Sequence, residues 1–249
     1  MSLIGVIAGA ARRRAVVGVD YAPLILSRTS LIGYWRLGEA SGATAADETE
    51  GSPGTYVGGP TLGVAGAISG DADTAMRTAG SEYMNANMVP PTGASQRTIE
   101  CWARPTTIDG TERYIFGYGA SGGGNGFSAA IENVSSAPHL LFRHISGNIR
   151  FPWSASTGAW VHVCMVVPSG ASTTDDVLVY LNGSAVSGTR NSGSNQTLNT
   201  GSSDVFFART SSPSASPGGY QGDIDEAAVY DAALTAAQIA EHYAAGTGA

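Results

Sequence analysis

Apolar and polar residues alternate in short runs along most of the chain, at the two-residue period of strands that bury one face. Thr98-Ile99-Glu100-Cys101-Trp102-Ala103-Arg104-Pro105 alternates and stops at a proline, which cannot donate to a ladder. Tyr114 to Tyr118 and Phe127 to Ile131 predict two more strands, joined by a glycine-rich loop from Ser121 to Gly126. His139 to His144 and Ile149 to Trp153 predict a hairpin turning at Ser146-Gly147-Asn148. Trp160 to Val167 is apolar enough for a buried strand. Asp176 to Leu181 alternates into Asn182-Gly183, a pair that tolerates the positive φ of a type I′ turn. Leu31 to Leu37 opens this series, and Val205 to Ala208 and Gly222 to Tyr230 close it; Tyr56 and Val57 predict a short strand in the loop 47–59. Trp35, Trp102, Trp160, Val163, Met165, Val179, Leu181 and Phe206 are the predicted core.

The period changes near the two ends. Tyr21-Ala22-Pro23-Leu24-Ile25-Leu26 predicts a short helix with Pro23 in its first turn. From Leu234 to Gly246 a capping box at Thr235 and Gln238, Ile239 and Tyr243 four apart, and Gly246 as a stop predict a C-terminal helix. Residues 1–19 read differently: Leu3, Ile4, Val6 and Ile7 precede Arg12-Arg13-Arg14, with too few apolar positions to fold alone. We read this segment as an assembly arm tethering a domain over 20–249, the alternative being a disordered leader. Its charge follows its apolar run, the reverse of a secretory signal.

Composition narrows the class. Charged residues make up only 13% of the 249, and glycine reaches 34, as suits many short strands joined by turns. The fold class expected is therefore all-β, a two-sheet antiparallel sandwich with a short C-terminal helix and an N-terminal arm. A net charge of −7 argues against a nucleic-acid partner, since phosphate binding needs a basic surface. No apolar run approaches the roughly 20 residues that span a bilayer, so no membrane role is expected. Cys101 and Cys164 both lie in apolar strand-like runs and are read as buried free thiols, a disulfide being the lesser alternative. His139, His144, His162 and His242 show no zinc spacing with them.

Several motifs fall in a recognisable order: Gly33-Tyr34-Trp35-Arg36-Leu37-Gly38-Glu39-Ala40-Ser41-Gly42, Thr98 to Trp102, Trp160-Val161-His162-Val163, Asn182-Gly183, and Gly222-Asp223-Ile224-Asp225-Glu226 running on to Tyr230 and the helix at Leu234–Tyr243. Together they resemble the laminin-G-like jelly rolls of the concanavalin A type, with the first and last strands neighbours and Trp35 and Tyr230 in a common apolar layer. The form of the opening strand is most similar to modules of actinobacterial surface proteins and of virion proteins of their phages.

That resemblance implies a non-enzymatic structural or adhesion protein on the exposed surface of a phage tail or capsid. Its arm would dock on other virion proteins, its jelly roll would contact host glycans, and a homo-oligomer is compatible. The alternative is a bacterial carbohydrate-binding module, secreted or at the cell surface. Tyr118, His139, Arg150, Trp153 and Tyr220 lie near loops and are the candidates for stacking on and hydrogen-bonding a sugar. The family often holds a structural Ca²⁺, which would here take the Asp225 side chain, the Gly80 carbonyl and Asp47, although Ala79 stands where an aspartate is usual. The competing reading pairs Asp225 with a turn or with an arginine such as Arg36. Glucanases of this architecture use carboxylates at alternate strand positions; Asp223, Asp225 and Glu226 fall at first, third and fourth positions of the last strand, which makes glycoside hydrolysis the least favoured reading.

Overall fold

The alternating runs become strands of two stacked antiparallel sheets. A computed structural model describes residues 20–120, 122–144, 146–211 and 218–249; the arm residues Leu3, Ile4, Arg12, Arg13 and Arg14 lie outside the described residues. In neighbour order the first sheet runs β14 (Ser184–Val186), β13 (Leu178–Leu181), β12 (Val161–Val167), β7 (Arg97–Pro105), β18 (Gln221–Tyr230), β5 (Thr74–Ala79) and β4 (Thr61–Ala65), and β1 (Leu31–Trp35) also pairs with β18. The second runs β15 (Thr189–Ser192), β11 (Asn148–Pro152), β10 (Ala137–Arg143), β9 (Gly126–Val134), β8 (Arg113–Gly119), β16 (Phe206–Phe207), β6 (Tyr83–Asn85), β3 (Gly54–Val57) and β2 (Thr44–Ala45). A two-residue strand, β17 (Gly218–Gly219), adds in parallel to β8. The expected jelly-roll sandwich is the observed one.

Alternation then decides what each face meets. On β7, Ile99, Cys101 and Ala103 enter the core between the sheets, where they meet Phe116, Phe142, Met165 and Val229. Glu100 and Trp102 point the other way, toward helices α1 (Tyr21–Leu26) and α2 (Ala236–Thr247). Cys101 belongs to the first of these layers and Cys164 to the second, so the sheet separates the two free thiols. No helix among the described residues is long and apolar enough to cross a membrane.

Three expectations need correction. The opening and closing strands are neighbours, with Leu31 opposite Tyr230 and Trp35 opposite Ala227, but Trp35 packs between the sheets and Tyr230 under the helices, so they lie in two layers. Phe206 is half-buried on the outer face, and its neighbour Phe207 is the core residue. Gly246 does not stop α2, which continues to Thr247 and ends at Gly248 in the left-handed region. Gly246 instead lets the helix lie on Trp102, where a Cβ would come within 2.4 Å of the indole ring. The Asn182-Gly183 turn is as expected, with φ of 51° and 74°, and joins β13 to β14.

The layer beneath the helices is organised around a buried carboxylate. Glu100 accepts hydrogen bonds from the Tyr230 hydroxyl at 2.6 Å, His242 Nδ1 at 2.9 Å and His162 Nε2 at 3.0 Å. Arg28 donates from Nε to His242 Nε2 at 2.8 Å, so His242 carries its own hydrogen on Nδ1 and donates a hydrogen bond from there to Glu100. Burial alone pushes the Glu100 carboxyl up; His242 and His162 outweigh it and hold the group well below the usual carboxylate range.

Candidate functional site

The helices cover the outer face of the first sheet, whereas the outer face of the second carries rows of polar and aromatic side chains. One row can be followed strand by strand through register partners: Thr55, Asn85, Phe206, Gly117, Ser128, Arg143 and Asn148. Their neighbours Tyr56, Met84, Phe207, Phe116, Ala129, Phe142 and Ile149 all enter the core, which fixes this row as outward.

At the β3–β6–β16 end, Tyr83 and Phe206 are half-buried and meet edge to face, with ring centroids 5.9 Å apart. The Arg209 guanidinium lies over the Tyr83 ring, 4.6 Å from its centre. Amides and a carboxylate border this pair: Asn85 Nδ2 donates to Asp204 Oδ2 at 3.2 Å, and Asn87 Nδ2 donates to Thr55 Oγ1 at 2.9 Å. The arrangement places aromatic rings, donors and acceptors within one patch, the side-chain types that contact a hydroxylated ring.

Toward β11 the same face carries paired charges. Arg143 bridges to Glu112 at 2.9 Å and Arg150 to Glu132 at 2.7 Å, and the Tyr114 hydroxyl donates to Glu112. Burial, then the Glu112 carboxylate, pushes the Tyr114 phenol up to about 12, which keeps it a donor at neutral pH. Each arginine has its carboxylate, so the charges here balance, and Tyr114, Ala130 and Leu141 form a small buried apolar cluster among them.

Of the five residues expected to hold a sugar, the structure brings two to this face: Arg150 lies opposite Leu141, and His139 lies two residues from Leu141 on the same side of β10. Tyr118, Trp153 and Tyr220 belong to the core instead, at 0%, 3% and 0% exposure. Tyr118 shares the inward side of β8 with Phe116, and its hydroxyl donates to the Pro91 carbonyl at 2.7 Å; Trp153 follows Phe151 at strand period onto the same inward side. None of the three has a face open to a ligand. Tyr83, Asn85, Phe206, Asp204 and Arg209 were not anticipated. Alternation about Met84 carries the signal for Tyr83 and Asn85, but β6 and β16 have only three and two residues, too few for a period to declare itself.

The three residues expected to hold calcium do not form a cage. Asp47 accepts the Tyr34 and Ser52 amides and the Thr49 amide and hydroxyl; Asp225 accepts the Ala67 and Glu226 amides. Gly80 lies beside Gln221, four residues along β18 from Asp225, about 13 Å at strand rise. Among the described residues no group of three or more His, Cys, Asp or Glu side chains is arranged to hold a metal ion. The carboxylate oxygens of Asp47 and Asp225 that calcium would need already accept hydrogen bonds from the protein.

Asp223 and Glu226, the pair a glycosidase would need, are both enclosed by arginines. Asp223 is gripped by Arg77 Nε and Arg104 Nε, each at 2.6 Å, and Arg104 in turn lies 4.6 Å over the Trp160 ring. Glu226 takes hydrogen bonds from the Tyr34 hydroxyl and Arg36. Burial pushes Glu226 up to about 7 against the pull of Arg36, and burial, then Glu226 itself, pushes Asp225 up. These are carboxylates fixed inside the protein rather than aimed into a cleft.

Comparison with known proteins agrees with this architecture. No curated protein shows significant sequence similarity to the chain. Among solved structures, domain 4 of AbnA, a GH43 extracellular arabinanase from Geobacillus stearothermophilus, in complex with arabinotriose, superposes with a TM-score of 0.58 at 21% identity, covering 86% of this chain and 98% of that one. Trypanosoma rangeli sialidase in complex with sialic acid gives 0.61 at 12% identity over 87% of this chain, which spans 33% of the sialidase. The binding domain of Paraclostridial Mosquitocidal Protein 1 gives 0.55 at 13% identity, with 86% of this chain and 52% of that one covered. At these identities the likeness establishes a shared fold. A family model described as the concanavalin A-like lectin/glucanases superfamily matches residues 78–240. With the two-sheet jelly roll and that match over more than half its length, the chain belongs to the concanavalin A-like lectin/glucanase superfamily.

Proposed function

We propose that this protein is a non-enzymatic glycan-binding module that takes its ligand on the outer face of the second sheet. The observation that carries the reading is the half-buried Tyr83–Phe206 pair bordered by Asn85, Asp204, Asn87 and Arg209, on a face that no helix among the described residues covers. The enclosure of Asp223 and Glu226 by arginines supports binding over hydrolysis. The relatives support the ligand class, since one was solved with arabinotriose and another with sialic acid. In the setting that the opening motif suggests, the module is displayed on a phage tail or capsid, and residues 1–19 attach it to neighbouring virion proteins.

The test is a glycan array probed with the full chain, with arabino-oligosaccharides and sialylated glycans among the probes. Tyr83→Ala and Phe206→Ala are each expected to weaken binding roughly thirty-fold, the effect of about 2 kcal/mol at an aromatic contact. Binding left intact in both variants, or abolished equally by substitution of the buried Tyr118, would rule out this face. Removing residues 1–19 should leave glycan affinity unchanged while preventing incorporation into particles.

A further inference from the structure

Asp225 and Glu226 are adjacent on β18, and plain alternation would send them to opposite faces. Glu226 has φ of +52°, and the register with β7 slips between Asp225 and Ala228. This bulge turns both carboxylates toward the loop before β5, which supplies Asp71 and Asp73. Arg36, the residue after β1, sits among them. Its Nε lies 2.9 Å from Asp73 Oδ2 and 3.1 Å from Glu226 Oε1; its Nη2 lies 2.7 Å from Asp71 Oδ2 and 2.9 Å from Glu226 Oε1. Space is reserved for the acids: a Cβ on Gly38 would lie 1.9 Å from Asp73 Oδ1, and one on Gly66 would lie 3.0 Å from Asp225 Oδ2.

We propose that the Arg36 guanidinium is the resident cation of this pole and does there, without metal, the work that the family resemblance assigned to calcium. The geometry favours the guanidinium over the ion. A calcium cage needs six to eight oxygens within about 2.6 Å of one point. Here a planar fork directs N–H groups to Glu226 and Asp71, with Asp73 held beside it as a close ion pair, and such charge-assisted bonds are about twice as strong as neutral ones. Asp225 completes the pole by receiving the Ala67 and Glu226 amides, so it has no need of a metal either. The cation ties β1, the loop at 66–73 and β18 together, joining the opening and closing strands on the face opposite to Trp35.

Thermal unfolding of the full chain tests this. The melting temperature in excess EDTA should match that in 5 mM CaCl₂ to within about 1 °C, because a ligand raises it only by binding the folded state. Arg36→Ala should melt roughly 5–10 °C lower, since it removes the one cation that faces buried Glu226 and its neighbours Asp71 and Asp73 among the described residues, and calcium should then recover part of the loss in that variant alone. A calcium-dependent rise in the unaltered protein would overturn the proposal, as would an Arg36→Ala variant as stable as the parent.

Discussion

Glu100→Ala is expected to remove about 3–5 kcal/mol of stability, the cost of leaving three buried hydrogen-bond donors without their acceptor. The mechanism is specific. Glu100 is fully buried, and its two oxygens receive three donors from three elements: His162 on β12, Tyr230 on β18 and His242 on α2. Truncation leaves all three donors without an acceptor beneath the helices, and each stranded buried group costs about 1–3 kcal/mol. Urea unfolding at pH 7 measures the loss directly; a change below about 1 kcal/mol would show that the network does not hold α2 on the sheet. Glu100→Gln keeps one acceptor and should cost less. The pH dependence has a definite sign. The folded pKa is depressed, so the contribution of Glu100 is complete above the unfolded value near 4.5 and is lost as pH falls below it toward the folded value. The Gln variant should therefore lose less stability than the parent between pH 4.5 and pH 2.

Much of this architecture was legible in the residues because long alternating strands declare their faces. Thr98 to Pro105 and Trp160 to Val167 have enough residues for the period to show, and both are strands that bury one side between the sheets. The Asn182-Gly183 turn and the Thr235–Gln238 capping box are local chemistry, needing no knowledge of the rest of the chain. The binding face was less legible, for two physical reasons. Proximity to a loop says nothing of direction, so Tyr118, Trp153 and Tyr220 suggested a surface that alternation placed in the core. Conversely, Tyr83 and Phe206 sit on strands of three and two residues, whose direction depends on their partners β3 and β8. The pairing of Arg36 with Glu226 depends on a bulge, and a bulge breaks the very period on which a sequence reading relies. The sequence offers Arg36 as a partner for Asp225; the bulge presents Glu226 to it instead.

The second large effect connects the core to that face. Trp35→Ala is expected to cost about 3–5 kcal/mol, the usual range for truncating a buried tryptophan, and to lower the melting temperature by roughly 6–20 °C. The indole is fully buried, donates from Nε1 to the Ser52 carbonyl at 3.0 Å and packs at 6.3 Å against Phe207. Phe207 in turn packs on Phe116 at 6.0 Å, and these contacts, with the ladders to β6 and β8, fix the direction of the two-residue strand β16. The next side chain on that strand is Phe206, half of the aromatic pair proposed to meet a glycan. Loosening Phe207 should therefore weaken glycan binding even at temperatures where the variant is still folded, and Trp35→Phe should restore part of both stability and affinity. Glu100→Ala, which damages the opposite side of the first sheet, should lower stability to a similar extent and leave affinity unchanged. Calorimetric titration of the two variants below their melting temperatures separates the effects; equal affinities would mean that β16 is held by its ladder alone and that the core does not position the aromatic pair.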